Sequence, residues 1–210
     1  RCMMAINNTK IAIVGLGYVG LPLAVEFGKV FKTVGFDINN SRILELLEGI
    51  DSTLEVDQKE LQEASKIFYT SNDKDIQSCN IFIITVPTPI DKHKKPDLTP
   101  LVNASQTVGR LLKKDDIVIY ESTVYPGATE EVCMPILEQQ SNLKFNKHFY
   151  CGYSPERINP GDKKHSIKKI TKIVSGSNLN AKEKIKDLYK LVTKEIHVAK
   201  TIKIAESAKV

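Results

Sequence analysis

The 210-residue sequence has no apolar run approaching the roughly 20 residues that a membrane helix requires, which excludes a membrane-spanning helix. Its opening, RCMMAINNTK, contains no hydrophobic signal core, so no secretory leader is expected. The chain starts with Arg1 and not Met, and residues 1–8 are expected to be a tail or an expression remnant. Cys2, Cys79, Cys133 and Cys151 form no CxxC pair, which argues against a zinc site and against a disulfide framework. Reduced, mostly buried thiols in a cytoplasmic protein are expected instead. His93, His148, His165 and His197 show no metal-ligand spacing, and no metal is expected. Internal repeats and low-complexity tracts are also missing.

What is present is the balance of a globular protein, 41% apolar and 26% charged, long enough for one sizeable domain. The net charge of +5 is uneven: residues 144–210 carry 16 Lys+Arg against 6 Asp+Glu, the remainder 14 against 19. A basic third suits a nucleic acid or an anionic substrate. These lysines are scattered and not interleaved with a row of exposed aromatics, so a solvated surface is the stronger reading and no nucleic-acid partner is expected.

Short Val- and Ile-rich runs alternate with segments of helical periodicity. Strands are expected at 11–14, 33–36, 67–69, 81–85, 117–120, 149–152, 173–174 and 196–198. Helices are expected at 19–30, 41–48, 100–112, 129–139 and 181–191. Several strands are apolar throughout, as strands covered on both faces are, and the alternation implies a doubly wound, mostly parallel α/β sheet of Rossmann type. Residues 9–199 form that domain in this reading. TIKIAESAKV, at residues 201–210, reads as a helix that stops without a cap, so 200–210 are expected to begin an interdomain helix that is cut short.

A lone GxGxxG says little, but here Gly15-Leu-Gly17-Tyr18-Val19-Gly20 follows a strand and opens a helix, and Asp37 ends the next strand. Gly15 permits the tight turn, Gly17 the approach of a pyrophosphate, and Gly20 close helix–strand packing. The phosphates then meet the free N–H groups of the helix terminus. Asp37 is suited to the adenosine ribose hydroxyls and repels a 2′-phosphate, which favours NAD over NADP. Arg42 is either an adenine-stacking group or a surface residue on the first turns of a helix. Val86-Pro87-Thr88-Pro89 follows the fourth strand, where Thr88 offers a hydroxyl to a nicotinamide ribose; a generic loop is the plainer reading. Ser122 and Thr123 in Glu121-Ser-Thr-Val-Tyr-Pro-Gly127 are suited equally to touching a cofactor, holding a water or capping a helix. Tyr153-Ser-Pro-Glu156-Arg157-Ile158-Asn159-Pro160-Gly161 places a carboxylate and a guanidinium on a proline-bounded loop, as an acid/base with its anchor or as a surface ion pair.

In order along the chain, GLGYVGLPLA, FDIN, VPTP, ESTVYPG, SPERINPG and AESAK resemble the UDP-glucose/GDP-mannose dehydrogenase family, from about Lys10 to the last residue. The form Pro-Glu-Arg-x-x-Pro-Gly is similar to the branch that oxidises UDP-N-acetylhexosamines; the UDP-glucose branch usually has Glu where this chain has Pro160. The resemblance implies two successive NAD-dependent oxidations of a sugar 6-hydroxyl to a carboxylate, in bacterial polysaccharide biosynthesis, by a full-length homodimer. It assigns Lys209 to the oxyanion, Glu156 to acid/base work through a water that Thr123 helps hold, and Glu156, Arg157, Ile158, Asn159 and Lys209 to the substrate. It places the nucleophilic thiol in a second half absent from these 210 residues, so the chain alone is expected to be inactive. UDP-glucose oxidation, a β-hydroxyacid or 6-phosphogluconate-type dehydrogenase, and a non-catalytic dinucleotide module are the rival readings.

Overall fold

The computed structural model describes residues 8–90, 95–156, 167 and 170–208. Eight strands form one sheet: β1 Lys10–Val14, β2 Lys32–Phe36, β3 Ile67–Thr70, β4 Ile81–Ile84, β5 Ile117–Tyr120, β6 Tyr150–Tyr153, β7 Thr171–Gly176 and β8 Glu195–Val198. Their order across the sheet is β3-β2-β1-β4-β5-β6-β7-β8, and β1 to β6 run parallel. All eight strands read from the sequence are therefore present. The expected mostly parallel sheet has one reversal, because β7 pairs antiparallel with β6 through Gly152↔Gly176 and Tyr153↔Ser175, and β8 follows β7 in parallel. A side chain on Gly152 would meet the Ser175 carbonyl oxygen at 2.5 Å, so the reversal needs glycine there.

Helices α1 Gly20–Val30, α2 Asn40–Leu47, α3 Gln58–Glu63, α4 Thr99–Leu111, α5 Met134–Ser141, α6 Leu179–Tyr189 and α7 Ile202–Ser207 cover the sheet. The pleat divides the central strands between two cores. Ile11, Ile13, Ile83, Ile117 and Ile119 pack beneath Leu23 and Phe27 of α1, Ile43 of α2, Leu61 of α3 and Leu188 of α6. Ala12, Val14, Phe82, Val118 and Tyr120 face Leu101 of α4, Leu137 of α5 and Ile202 of α7. Each fully buried Leu, Ile or Phe side chain contributes about 1.5–3 kcal/mol. This double cover is why the runs at 11–14, 81–84 and 117–120 are apolar at every position.

The expected helix at 129–139 is a π-helical turn, Thr129–Cys133, continued by α5. α3 has only Leu61 buried and is held at its start by a reciprocal cap between Asp57 and Glu60, so no apolar period announces it. Cys79, Cys133 and Cys151 are buried and free. Burial pushes the Cys79 thiol up to about 11 and Cys133 up to about 12, so neither is a nucleophile at neutral pH.

Candidate functional site

The sheet order turns back between β1 and β4, since β2 lies on one side of β1 and β4 on the other. In an open α/β sheet the carboxyl ends of the strands at such a point form a crevice. The first wall is the turn from β1 into α1. Gly15 has φ +102°, a conformation that L side chains rarely adopt. A Cβ on Gly20 would lie 1.8 Å from the Gly15 carbonyl oxygen and 2.5 Å from the Thr85 hydroxyl, so helix and turn touch backbone to backbone. Thr85 closes this joint by donating to the Gly15 carbonyl at 2.7 Å. Gly17 is different: a Cβ there would meet nothing within 4 Å. Its missing side chain serves no protein packing and leaves space on the side facing the crevice. No side chain caps α1, and its first turn holds no acidic residue. The terminus thus fits an anionic group, and the open space at Gly17 fits a pyrophosphate drawn close to the backbone.

Asp37 stands just past β2. Its Oδ2 accepts from the Leu16 N–H at 2.8 Å and its Oδ1 from the Asn39 N–H at 2.8 Å. The carboxylate therefore fixes the glycine turn as well as standing beside it. Arg42, an expected adenine contact or surface residue, is neither exposed nor idle. It is 7% exposed, its Nε donates to the Leu16 carbonyl at 2.8 Å, and its terminal nitrogens engage Glu45, Asp51 at 2.9 Å, Ser52 and Thr53. Each of its three nitrogens is engaged by protein, so contact with an adenine is limited to the flat face of the guanidinium.

The far wall is formed by two loops tied to each other. The Ser122 hydroxyl donates to the Val86 carbonyl at 2.5 Å, and the Thr88 hydroxyl to the Thr123 carbonyl at 2.7 Å. Both hydroxyl protons are spent on backbone, so toward a ligand these oxygens act as acceptors. Gly17, Tyr18, Val19, Thr85, Val86, Pro87, Thr88, Glu121, Ser122, Thr123 and Glu156 line one cleft of about 150 Å³. Segments separated by up to 139 residues in sequence meet there.

Glu121 of this lining belongs to a buried charged cluster that the sequence reading missed. Glu121 and Lys172 have side chains 1% exposed; the Lys172 Nζ donates to Glu121 Oε2 at 3.1 Å, and Tyr189 donates to Glu121 Oε1 at 2.6 Å. Burial, and to a lesser degree the nearby Glu156, raises Glu121 above the usual carboxylate range, against the pull of Lys172. A second missed residue, Glu206 on α7, is fully buried and accepts from the Gly127 N–H at 2.5 Å and the Thr129 N–H at 2.9 Å. It ties α7 to the loop that carries Ser122 and Thr123. The sequence signal for Glu206 was the AESAK string itself; for Lys172, just before the strand expected at 173–174, there was none.

Of the expected site residues, the structure brings together Gly17, Tyr18, Val19, Val86, Pro87, Thr88, Ser122, Thr123 and Glu156 in the cleft, with Gly15, Gly20 and Asp37 forming the turn behind it. Arg157, Ile158, Asn159 and Lys209 lie outside the described residues.

A doubly wound sheet with a glycine turn, an uncapped helix terminus and an acidic residue after β2 defines a Rossmann-type dinucleotide-binding domain of the dehydrogenase kind. Residues 9–193 match the model of the UDP-glucose/GDP-mannose dehydrogenase family, NAD binding domain, and the chain belongs to that family. It is 62% identical to a UDP-N-acetyl-D-glucosamine 6-dehydrogenase of Pseudomonas aeruginosa, over 97% of this chain and 49% of that protein. It is 57% identical to a UDP-N-acetyl-D-glucosamine 6-dehydrogenase of Salmonella typhi, over 99% of this chain and 49% of that protein. The solved structure of a UDP-D-ManNAc dehydrogenase from Pyrococcus horikoshii superposes with a TM-score of 0.86 at 32% identity, covering 96% of this chain and 49% of that one. The chain thus spans about half the length of the curated relatives it matches. Its cofactor is NAD, as in the family.

Proposed function

We propose that the chain is the cofactor half of a UDP-N-acetylhexosamine 6-dehydrogenase, which oxidises the sugar C6 alcohol to a carboxylate in two steps. One observation carries the reading: a single cleft joins the glycine turn to Ser122, Thr123 and Glu156, so a cofactor and an acid/base group share one space. The names of the relatives at 62% and 57% identity support UDP-N-acetylglucosamine as the sugar to test first. Bound NAD supplies the hydride acceptor. Two oxidations of one alcohol consume two NAD and one water and release two NADH and three protons with the carboxylate.

The chain's own residues divide that work. Gly15, Gly17, Tyr18, Val19 and Gly20 receive the pyrophosphate, Asp37 the adenosine ribose, and Arg42 flanks that end. Val86, Pro87, Thr88, Ser122 and Thr123 line the other end with hydroxyl acceptors. Glu156 takes and returns protons through a water that Thr123 helps hold. Lys209 sets a cation beside the forming alkoxide, where fixed positive charge stabilises the transition state more than the neutral alcohol. Arg157, Ile158 and Asn159, with Glu156 and Lys209, hold the sugar. The thiol nucleophile comes from the half beyond these residues. Residues 9–199 act as the domain and 200–210 as the start of an interdomain helix, in a cytoplasmic bacterial homodimer that makes precursors for polysaccharide and has no nucleic-acid or membrane partner.

The test is a stoichiometry assay with the full-length enzyme across UDP-sugars, paired with NAD titration of this chain. Two NADH per UDP-N-acetylglucosamine consumed, with NAD binding but no turnover by the isolated chain, is the expected result. One NADH per substrate, or oxidation of a β-hydroxyacid in place of any UDP-sugar, overturns the reading.

A further inference from the structure

The antiparallel pairing of β6 and β7 ends at Tyr153↔Ser175, two residues before Pro155. Pro155 has no N–H and cannot extend the ladder. Side chains of β7 and its neighbours continue it. The Ser175 hydroxyl donates to the Tyr153 carbonyl at 2.7 Å, and the Ser154 hydroxyl donates to the Ile173 carbonyl at 2.6 Å. The next link is Lys172, whose Nζ donates to the Pro155 carbonyl at 3.1 Å and to Glu121 Oε2 at 3.1 Å. The same ammonium lies 3.9 Å from Glu156 Oε2, and the Glu156 side chain is 5% exposed. A lysine with its side chain 1% exposed is unusual, because leaving water is costly for an ammonium unless it is paired and hydrogen-bonded. Here its partners are the segment leading to Glu156 and two carboxylates that line the cleft.

We infer that Lys172 is a positioning residue: its buried ammonium fastens Pro155 and Glu156 to the end of β5 and so seats the Glu156 carboxylate in the cleft. Among the described residues, the ionisable groups around this joint are Glu121 just after β5, Tyr153 from β6, Lys172 from β7, Tyr189 from α6 and Glu206 from α7, together with Glu156 itself. Lys172 does not line the cleft and acts through Glu156. The inference rests on the acid/base role proposed for Glu156, and its test separates the two.

Removing Lys172 alone leaves Glu121 buried without its cation, so the test is run in a Glu121→Gln background, where the amide oxygen still accepts from Tyr189. Crystal structures of full-length Glu121→Gln and Glu121→Gln/Lys172→Met are compared first. The Pro155–Glu156 backbone is expected to move by about 1 Å or more in the second, a displacement on the scale that costs about 10²-fold in rate. A segment that stays seated within about 0.5 Å overturns the inference, whatever the enzyme oxidises. In the same background, Lys172→Met is expected to lower kcat at least 10-fold when Glu156 is present and less than 2-fold after Glu156→Gln. Rate losses that multiply independently overturn it too, because residues acting as a unit are not additive. An unmodified enzyme that oxidises no UDP-sugar refutes the proposed function, and the crystallographic comparison then decides the role of Lys172 alone.

Discussion

Asp37 carries two separable tasks, and substitution can pull them apart. The carboxylate accepts from the Leu16 and Asn39 N–H groups, each at 2.8 Å, and so holds the glycine turn. It is also the group suited to an adenosine ribose, whose 2′-phosphorylated form it repels. Asp37→Ala removes both acceptors. Hydrogen bonds to an ionised group are worth about 1.5–3 kcal/mol each, and a half-buried carboxylate in contact with water delivers less, so roughly 2 kcal/mol of stability is at stake. In a domain of this length that is a fall of about 4–8 °C in melting temperature. Loss of the ribose contact should weaken NAD by about 1–3 kcal/mol, roughly 5- to 150-fold.

Asp37→Asn is the discriminating variant. It keeps the shape and one good acceptor but removes the charge, so its melting temperature should fall less than that of the alanine variant. Its preference for NAD over NADP should fall in both variants alike, because repulsion of the 2′-phosphate depends on charge and not on shape. Thermal unfolding measured beside titrations with NAD and NADP reads both tasks. Equal binding of NADP and NAD by the unmodified protein, or an unchanged preference in Asp37→Asn, refutes the role given to this carboxylate.

Two further outcomes follow from buried carboxyls. Glu206→Ala leaves the Gly127 and Thr129 N–H groups buried without their acceptor and should cost about 2–5 kcal/mol in urea unfolding, with Glu206→Gln losing about half of that; a loss below about 1 kcal/mol would remove the tie between α7 and the loop. Asp116, its side chain 3% exposed, is pushed up to about 6 by burial, despite the Lys113 N–H and ammonium beside it. The folded state therefore holds this proton more tightly than the unfolded chain does, so the group's contribution is largest below about pH 4 and is lost as pH rises through 6. Asp116→Asn, which still accepts from the Lys113 N–H, should gain on the order of 2 kcal/mol relative to the unmodified protein between pH 4 and 7; a pH-independent difference would contradict this assignment.

The parts of the molecule that the sequence discloses are those in which cause and effect are close together along the chain. The central strands are legible because double cover forces apolar side chains into every position of the runs at 11–14, 81–84 and 117–120. The glycine turn is legible because Gly15, Gly17 and Gly20 act within one turn, and Asp37 because it ends the adjacent strand. α3 was missed because five polar residues around one buried leucine carry no period. The reversal at β7 was not located, because alternation reports burial and not strand direction; its one sequence mark is the glycine pair 152 and 176, which the reading did not use. For Arg42 only the surface alternative fails, and for a different reason. An arginine on a helix's first turns looks solvent-facing until the loop at 51–53 folds over it.

Lys172 shows where local reading stops, and why. The strand expected at 173–174 stops short of Lys172, which the structure places inside β7, and nothing nearby announces a buried charge. Its partners are 17, 51 and 16 residues away, at Pro155, Glu121 and Glu156, and only the antiparallel return of β7 brings them together. A buried ammonium between carboxylates is also a poor choice for stability alone. Apolar residues of similar volume often hold such a position as well or better, because the pair must first be stripped of water. The apolar faces on either side of the sheet already supply cohesion, with Tyr189 packed edge-on against Phe27 at 5.6 Å in the same neighbourhood. What hydrophobic packing does not provide is the directional hold that the Lys172 ammonium places on the Pro155 carbonyl. The charge sits where direction is needed, where the seam between β6 and β7 reaches a proline that has no N–H to give, one residue before the carboxylate in the cleft.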